Sequence, residues 1–516
     1  MNGAESLVRT LLANGVDTCF ANPGTSEMHF VAALDRVAGV RCVLGLQENV
    51  VTGMADGYYR VLRRPAATLL HCGPGLSNGL ANLHNARRAE SGVVNIVGDH
   101  ATPHRPFDSP LTADVPALAA TVSASVCTPR DTQLLGANAA QAVAIARQHP
   151  GQIATLILPA DISWSDGGRE AGLAPVNAPA PLDPHGIEAA RRLLTSGRRS
   201  LILVGNSAAT LDGIRLAHAI AARTGADVMG SSLVAAMPRG HGVPPLPRVP
   251  YPVDVAIAAL SGYEQVVLVN CPPPVGFFGY PGKPSLLCHP QALLHTLSRA
   301  GQDGTKALRL LAEAVGADRE PATPAPISRE KIALPQGEPT PEKLDMALAA
   351  LLPENAIIVD ESLTFSNGYT VTGAQAPAHD HLIITGGAIG GGLPVATGAA
   401  IASGGKRRVV NLQADGSAAY TLQSLWTQAR EKLPCTTILL NNRRYNILLG
   451  EYRNVGAVPG PTAMSMLDLG NPDIQWAALA RAFGVEATRV TTMEDCSKAL
   501  AASLASDLPH LIELVI

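Results

Sequence analysis

A chain of 516 residues is too long for one hydrophobic core and has room for about three domains. With 39 Lys+Arg against 42 Asp+Glu it lacks the basic field that nucleic acid or an anionic membrane would demand, and no apolar run reaches the length of a membrane span. Its eight scattered cysteines show neither CxxC nor zinc spacing and read as reduced thiols of a cytoplasmic protein, an expectation matched by the lack of a signal-peptide pattern in residues 1–20.

Taken in chain order, short apolar runs alternate with helical segments. Leu7–Asn14 reads as a helix, Val16–Ala21 and Cys42–Leu46 as strands, Val50–Val61 as a helix, and Ala66–His71, Val93–Val97 and Ile153–Leu158 as strands. A Gly/Pro/Ala-rich stretch at 166–185 reads as a linker. The rhythm returns with strands at Ser200–Val204, Ala226–Met229 and Gln265–Val269 and a helix at Leu211–Thr224. A proline-rich stretch at 316–338 reads as a second linker. Strands near Ala356–Val359, Val409–Gln413, Thr436–Leu440 and His510–Val515 complete the pattern. Such βαβ alternation predicts an α/β fold of three doubly wound parallel sheets, over 1–165, 186–315 and 339–516.

The sharpest local signal lies in the third unit. Asp415-Gly416-Ser417 follows one predicted strand as a turn, with helical periodicity continuing to Arg430. Asn441-Asn442 follows the next strand, so that Asp415 and Asn442 stand 27 positions apart at neighbouring strand ends. Strand ends line the ligand crevice of a parallel sheet. A carboxylate beside a carboxamide suits a hard cation such as Mg2+, and Gly416 lets backbone approach a phosphate. The expected ligand is a metal-bridged diphosphate.

Other polar groups fall at strand ends of the first unit. Glu48 opens an apolar helix, where it either stabilises the helix dipole or serves a ligand. His71 begins His71-Cys72-Gly73-Pro74-Gly75, read as a tight loop, and is either a structural histidine or a general acid/base; Cys72 reads as a packing residue. In Asn22-Pro23-Gly24-Thr25-Ser26, Thr25 and Ser26 read as caps of the next helix, with a ligand contact as the alternative. The loop from Asp99 to Asp108 reads as a pocket wall or a solvated turn. The glycine cluster 386–392 implies backbone packed against something flat. Leu448 and Glu451 fall three apart on one predicted helix face.

In this order, Asn22-Pro23-Gly24, Glu48, Gly73-Pro74-Gly75 and the Asp415/Asn442 pair resemble the thiamine diphosphate-dependent 2-oxo acid decarboxylases and carboligases, with acetolactate synthase-like proteins and benzoylformate decarboxylase most similar, across essentially the whole chain. The resemblance implies a pyrimidine-binding first domain, a central domain and a diphosphate-binding third domain. It implies Mg2+ on Asp415, Asn442 and the Arg444 carbonyl, and phosphate contacts from Gly416 and Ser417. Cofactor contacts are further implied from Thr25, Gly75, Asn78, Thr364, Tyr445, Asn446 and Ile447. Ile389 is implied as the residue that bends the cofactor, and the Gly387 carbonyl as an acceptor for its aminopyrimidine. Glu48 would reach the pyrimidine from the opposite subunit, which implies at least a homodimer and commonly a homotetramer. His71 would move protons to the reacting 2-oxo acid, with an aldehyde or ketone as acceptor in ligation.

The chain departs from its relatives in several places. Ala414 stands where the family has Gly, the paired histidines of pyruvate decarboxylases are absent from 108–116, and the second histidine of benzoylformate decarboxylase is missing from 275–281. Glu451 replaces a bulky aromatic, which predicts a pocket that disfavours an anionic second substrate. Nothing in 186–315 demands FAD. An FAD-bearing oxidase of the same fold, a lyase using an acyl-CoA and a non-catalytic paralogue are the alternatives.

Overall fold

Runs of Val, Ile, Leu and Ala without polar alternation make strands buried on both faces, the signature of parallel sheets covered by helices. The computed structural model describes residues 1–317, 332–365, 373 and 375–516, so most of the predicted linker at 316–338 lies outside the described residues. The first sheet contains β1 (Thr18–Ala21), β2 (Arg41–Leu44), β3 (Ala66–His71), β4 (Val93–Asp99), β5 (Ser125–Cys127) and β6 (Ile153–Pro159). Their spatial order is β2-β1-β3-β4-β6-β5 and every pair is parallel.

The second sheet takes β7 (Ser200–Val204) and β8 (Asp227–Gly230). The next strand, β9 (Ala236–Arg239), leaves it, and β10 (Gln265–Val269) and β11 (Leu293–Ser298) complete the order β11-β10-β7-β8. The third sheet adds β12 (Ile357–Glu361), β13 (His379–Ile383), β14 (Val409–Ala414), β15 (Cys435–Asn441), β16 (Glu486–Val490) and β17 (His510–Val515), in the order β16-β17-β15-β14-β12-β13-β9. The edge strand β9 pairs antiparallel with β13, and its Pro238 lies opposite Asp380. A sheet edge tolerates a residue without an N–H, but proline and a length of four residues hide such a strand from pattern reading.

The first and third sheets meet through two helices buried on nearly every side, Glu48–Leu62 and Gly392–Ala402. Their backbones touch at glycines: a Cβ on Gly398 would overlap the Met54 carbonyl, and one on Gly57 would overlap that of Val395. Beneath them Arg60 donates to Asp56 through Nε at 2.8 Å and to the Ile383 carbonyl at 2.6 Å, and Ser91 also donates to Asp56. Two charges buried in this way are tolerated because both are paired and hydrogen-bonded.

Two local expectations change. Cys72–Arg88 is helical from its first residue, so Gly73-Pro74-Gly75 forms the first helical turn and not a loop; proline is accepted there because the first-turn N–H groups have no intrahelical partner. The segment after Asp415 forms two short helices, Asp415–Thr421 and Ser424–Arg430, in place of one.

Candidate active site

β14 and β15 run in register, with Ala414 opposite Leu440, which delivers Asp415 and Asn442 to adjacent strand ends. The Asp415 carboxylate is buried and accepts the N–H groups of Gly416 at 2.8 Å and Arg443 at 2.7 Å. Burial raises its pKa, and these donors oppose the rise. The Asn442 carboxamide oxygen accepts the Arg444 N–H at 3.0 Å, and Arg443 adopts a left-handed φ of 55° to make the turn. The Tyr445 ring occupies the place of a Gly416 side chain. Asn446 donates to Thr364 at 3.4 Å, which joins the loop after β12 to the same cleft, and Ile447 follows half-buried on helix Asn446–Asn454.

These residues fit a metal-bound diphosphate. Asp415 and Asn442 offer oxygen donors of the kind a hard divalent cation takes, with lone pairs left after their backbone bonds. The Ser417 hydroxyl, beside them, is buried and has no hydrogen-bond partner. A phosphate oxygen would satisfy it.

The glycine loop before helix Gly392–Ala402 is fixed from two sides. From the end of β12, the buried Glu361 carboxylate accepts the N–H groups of Gly390 at 2.8 Å and Gly392 at 2.6 Å, and Gln413 Nε2 at 2.9 Å. Burial raises the Glu361 pKa, again against the pull of these donors. From the first sheet, Asn85 donates to the Ala388 carbonyl at 2.7 Å and accepts its N–H at 3.2 Å, while Asn82 reaches the Gly390 carbonyl at 3.3 Å. Ile389 therefore stands half-buried between anchored peptides, and Gly387 turns with φ +78°. Sequence reasoning missed Glu361, Asn82 and Asn85; an acidic residue closing an apolar strand was the available signal.

At the first sheet's strand ends, Gln47 caps helix Glu48–Leu62 and leaves the Glu48 side chain, itself buried, free to accept from Asn78 at 3.1 Å. A Cβ on Gly75 would stand 3.2 Å from Glu48 Oε1 and 3.3 Å from His71 Cβ, so these three meet. His71 Nδ1 donates to Glu27, whose carboxylate is wholly buried, at 3.0 Å. Glu27 also accepts the Gly24 N–H at 2.7 Å and a short bond from Ser26. Gly24 lies flat against the imidazole, which fills the space of a side chain there. Thr25 and Ser26 therefore do not cap a helix: they form a single tight turn, and Ser26 is spent on Glu27 and His71. Asn22 extends the pairing of β1 with β3 by donating to the Leu69 carbonyl, while Pro23 and Thr25 are exposed. Burial pushes the Cys72 thiol up to about 11, which suits a packing residue.

Glu451 lies half-buried on helix Asn446–Asn454. It accepts Tyr280 at 2.8 Å and Tyr251 at 3.4 Å, two tyrosines supplied by the chain between the outer sheets. Burial and Glu451 together push both phenols up to about 12. The Tyr251 ring is 5.1 Å from Phe277, and Phe277 lies against Gly387, where an added Cβ would be 3.0 Å from the ring.

Residues 1–118 match the thiamine pyrophosphate enzyme N-terminal TPP binding domain, and residues 368–514 match the C-terminal TPP binding domain of the same enzymes. The chain is 46% identical to the "Putative acetolactate synthase large subunit IlvX" of Mycobacterium tuberculosis, over 100% of this chain and 99% of that protein. It is 29% identical to benzoylformate decarboxylase of Pseudomonas aeruginosa, over 98% of this chain and 97% of that one. The solved structure of the Rhodococcus jostii thiamine diphosphate-dependent 4-hydroxybenzoylformate decarboxylase superposes with a TM-score of 0.83 at 26% identity, covering 100% of this chain and 99% of that chain.

Proposed function

The chain belongs to the thiamine pyrophosphate enzyme family, and from that membership we infer an enzyme that breaks or forms the carbon–carbon bond beside the carbonyl of a small 2-oxo acid. The observation that carries this reading is the pairing of Asp415 and Asn442 at adjacent strand ends beside the unpartnered Ser417, with Glu48 intact in the first sheet's crevice.

In this reading Asp415, Asn442 and the Arg444 carbonyl hold Mg2+, Gly416 and Ser417 bind phosphate, and Tyr445, Asn446, Ile447 and Thr364 close that end. Ile389 and the Gly387 carbonyl position the aminopyrimidine end. Bound there, thiamine diphosphate supplies the sink for the electron pair left when a carboxylate departs as CO2. Glu48, oriented by Asn78, holds the proton exchanged with the pyrimidine and belongs to the opposite subunit, so the active unit is a homodimer or a tetramer of two such dimers. His71, fixed through Nδ1 by Glu27, keeps Nε2 to deliver the proton that completes an aldehyde; in ligation, an aldehyde or ketone carbonyl takes the proton's place. Among the described residues no helix is long and apolar enough to cross a membrane. All eight cysteines are free thiols, which supports a cytoplasmic setting.

The test is CO2 release over a panel of 2-oxo acids, with and without aldehyde acceptors, followed by analysis for ligation products. Release that requires both thiamine diphosphate and Mg2+ is expected. Failure to bind the cofactor, or to release CO2 from any member, overturns the reading.

A further inference from the structure

We propose that Glu451 and the aromatic wall holding it recognise the far end of the substrate, and that this end is a cation, an ammonium or guanidinium group on the side chain of the 2-oxo acid. The proposal rests on the 2-oxo acid reading above and names the class of acid.

The position comes first. Helix Asn446–Asn454 begins four residues past Asn442, and Glu451 stands less than two turns into it. Phe277 links the wall to Gly387, the residue assigned to the other end of the cofactor, and to Tyr251, which donates to Glu451. The wall and the carboxylate therefore flank the place where a substrate's side chain must lie.

The chemistry follows from what Glu451 lacks. Its donors are Tyr280 at 2.8 Å, and Tyr251 and Asn454 at 3.4 Å, and all three are neutral. Among the described residues, two cations lie close without pairing with Glu451: Lys283, 5.8 Å from the Tyr280 ring, is spent on Asp254 at 2.7 Å, and Arg453, two positions on along the helix, lies over Gly450. A carboxylate has about four acceptor positions, so one remains after these three bonds. Tyr251 is 39% exposed and Phe277 41%, which leaves their rings accessible beside the charge. Ring faces attract cations, and a half-buried carboxylate attracts them more strongly than one in open water. An anionic tail meets repulsion here, and a neutral one gains only from the rings; a cation gains from both.

The experiment compares kcat/KM of the Mg2+- and thiamine diphosphate-loaded enzyme on matched acids: 2-oxo-5-guanidinopentanoate, 2-oxo-6-(trimethylammonio)hexanoate, 2-oxohexanoate and 2-oxohexanedioate. A preference of at least about tenfold for a cationic acid over 2-oxohexanoate is expected, and Glu451→Gln lowers that ratio by at least about tenfold, mainly through KM. The guanidino and quaternary ammonium acids decide which cation fits. As a readout independent of turnover, n-butylguanidinium titrated into the loaded protein perturbs tyrosine absorption where n-butanol does not, and Tyr280→Phe weakens the signal. Equal or better use of the neutral acid, or a ratio that survives Glu451→Gln, overturns the cationic assignment and leaves the 2-oxo acid reading intact. If no acid in the set releases CO2, the cationic assignment falls, and the wider panel above decides the 2-oxo acid reading separately.

Discussion

The first and third sheets each keep buried, chemically active polar groups at their turning point, and the third leaves the Ser417 hydroxyl there without a partner, whereas the central sheet fills its own. In the first sheet the strand order turns between β1 and β3, where Gly24, Glu27 and His71 gather; in the third it turns between β12 and β14, where Glu361 closes one strand and Asp415 follows the other. The central sheet turns between β7 and β10. There a Cβ on Gly205 would overlap the Asn270 carbonyl, and the Asn270 side chain is consumed by the Arg299 and Gln302 carbonyls at 3.1 and 2.9 Å and by Ser298 at 2.7 Å. Topology alone therefore does not make a site. What matters is whether a polar group at the turn is left, like the Ser417 hydroxyl, without a partner in the protein.

The comparison breaks most severely at Glu48. If the first sheet's crevice is chemical and not merely packed, Glu48→Gln keeps cofactor binding but lowers CO2 release by about 10²- to 10⁴-fold, the range of a lost acid–base group. Cofactor titration by tryptophan fluorescence alongside kcat separates the two effects. In the third sheet, Asp415→Ala removes a buried ligand, and Mg2+-dependent thiamine diphosphate binding is expected to weaken by at least about 100-fold. An affinity within a few-fold of the parent would place the metal elsewhere.

The meeting of Asp415 and Asn442 was legible because each lies in a short contiguous motif at the end of an apolar strand. Asp415-Gly416-Ser417 and Asn441-Asn442 carry their meaning locally, and the parallel register aligns them. The wall around Glu451 was not legible. Its donors lie 200 and 171 positions away, in a region whose strand rhythm says nothing about which loop side chains reach the third sheet. Glu27 was hidden differently: an acid three residues after Gly24 reads as helix-capping chemistry, and only the fold brings it to His71. β9 was lost for a third reason, since a strand supplied to another unit's sheet edge leaves no periodic trace.

Glu27 sharpens the comparison at a smaller scale. Its carboxylate accepts a hydrogen bond from His71 Nδ1–H and so fixes which ring nitrogen is free, making it a positioning residue. Glu27→Gln is expected to lower kcat by about tenfold with little change in KM. A lowered Tm with kcat unchanged would mean that this cluster is packing, as the Asn270 cluster is.

The smallest effect comes from two carboxylates behind the third sheet. Asp360, at the end of β12, is buried, and burial alone would raise its pKa; His381 at 3.3 Å and Ser362, donating from both N and Oγ, outweigh that and hold it well below the usual range. Asp345, on helix Pro341–Leu351, is also buried, but burial and the nearby Asp360 and Glu342 push it from 3.8 up to about 7. The fold thus favours the protonated form of Asp345. As pH rises from about 4, the unfolded chain releases this proton while the folded one keeps it, so stability falls until pH passes about 7 and then levels. Asp345→Asn removes that loss: Tm is expected to rise by about 2 °C or more at pH 8, and the gain shrinks towards nothing near pH 4. A gain equal at both pH values would trace to shape and not charge. A pH-dependent gain would show that the buried carboxylates at the turn of this sheet stand on a charge balance that the central sheet, with Asn270 at its turn, never has to keep.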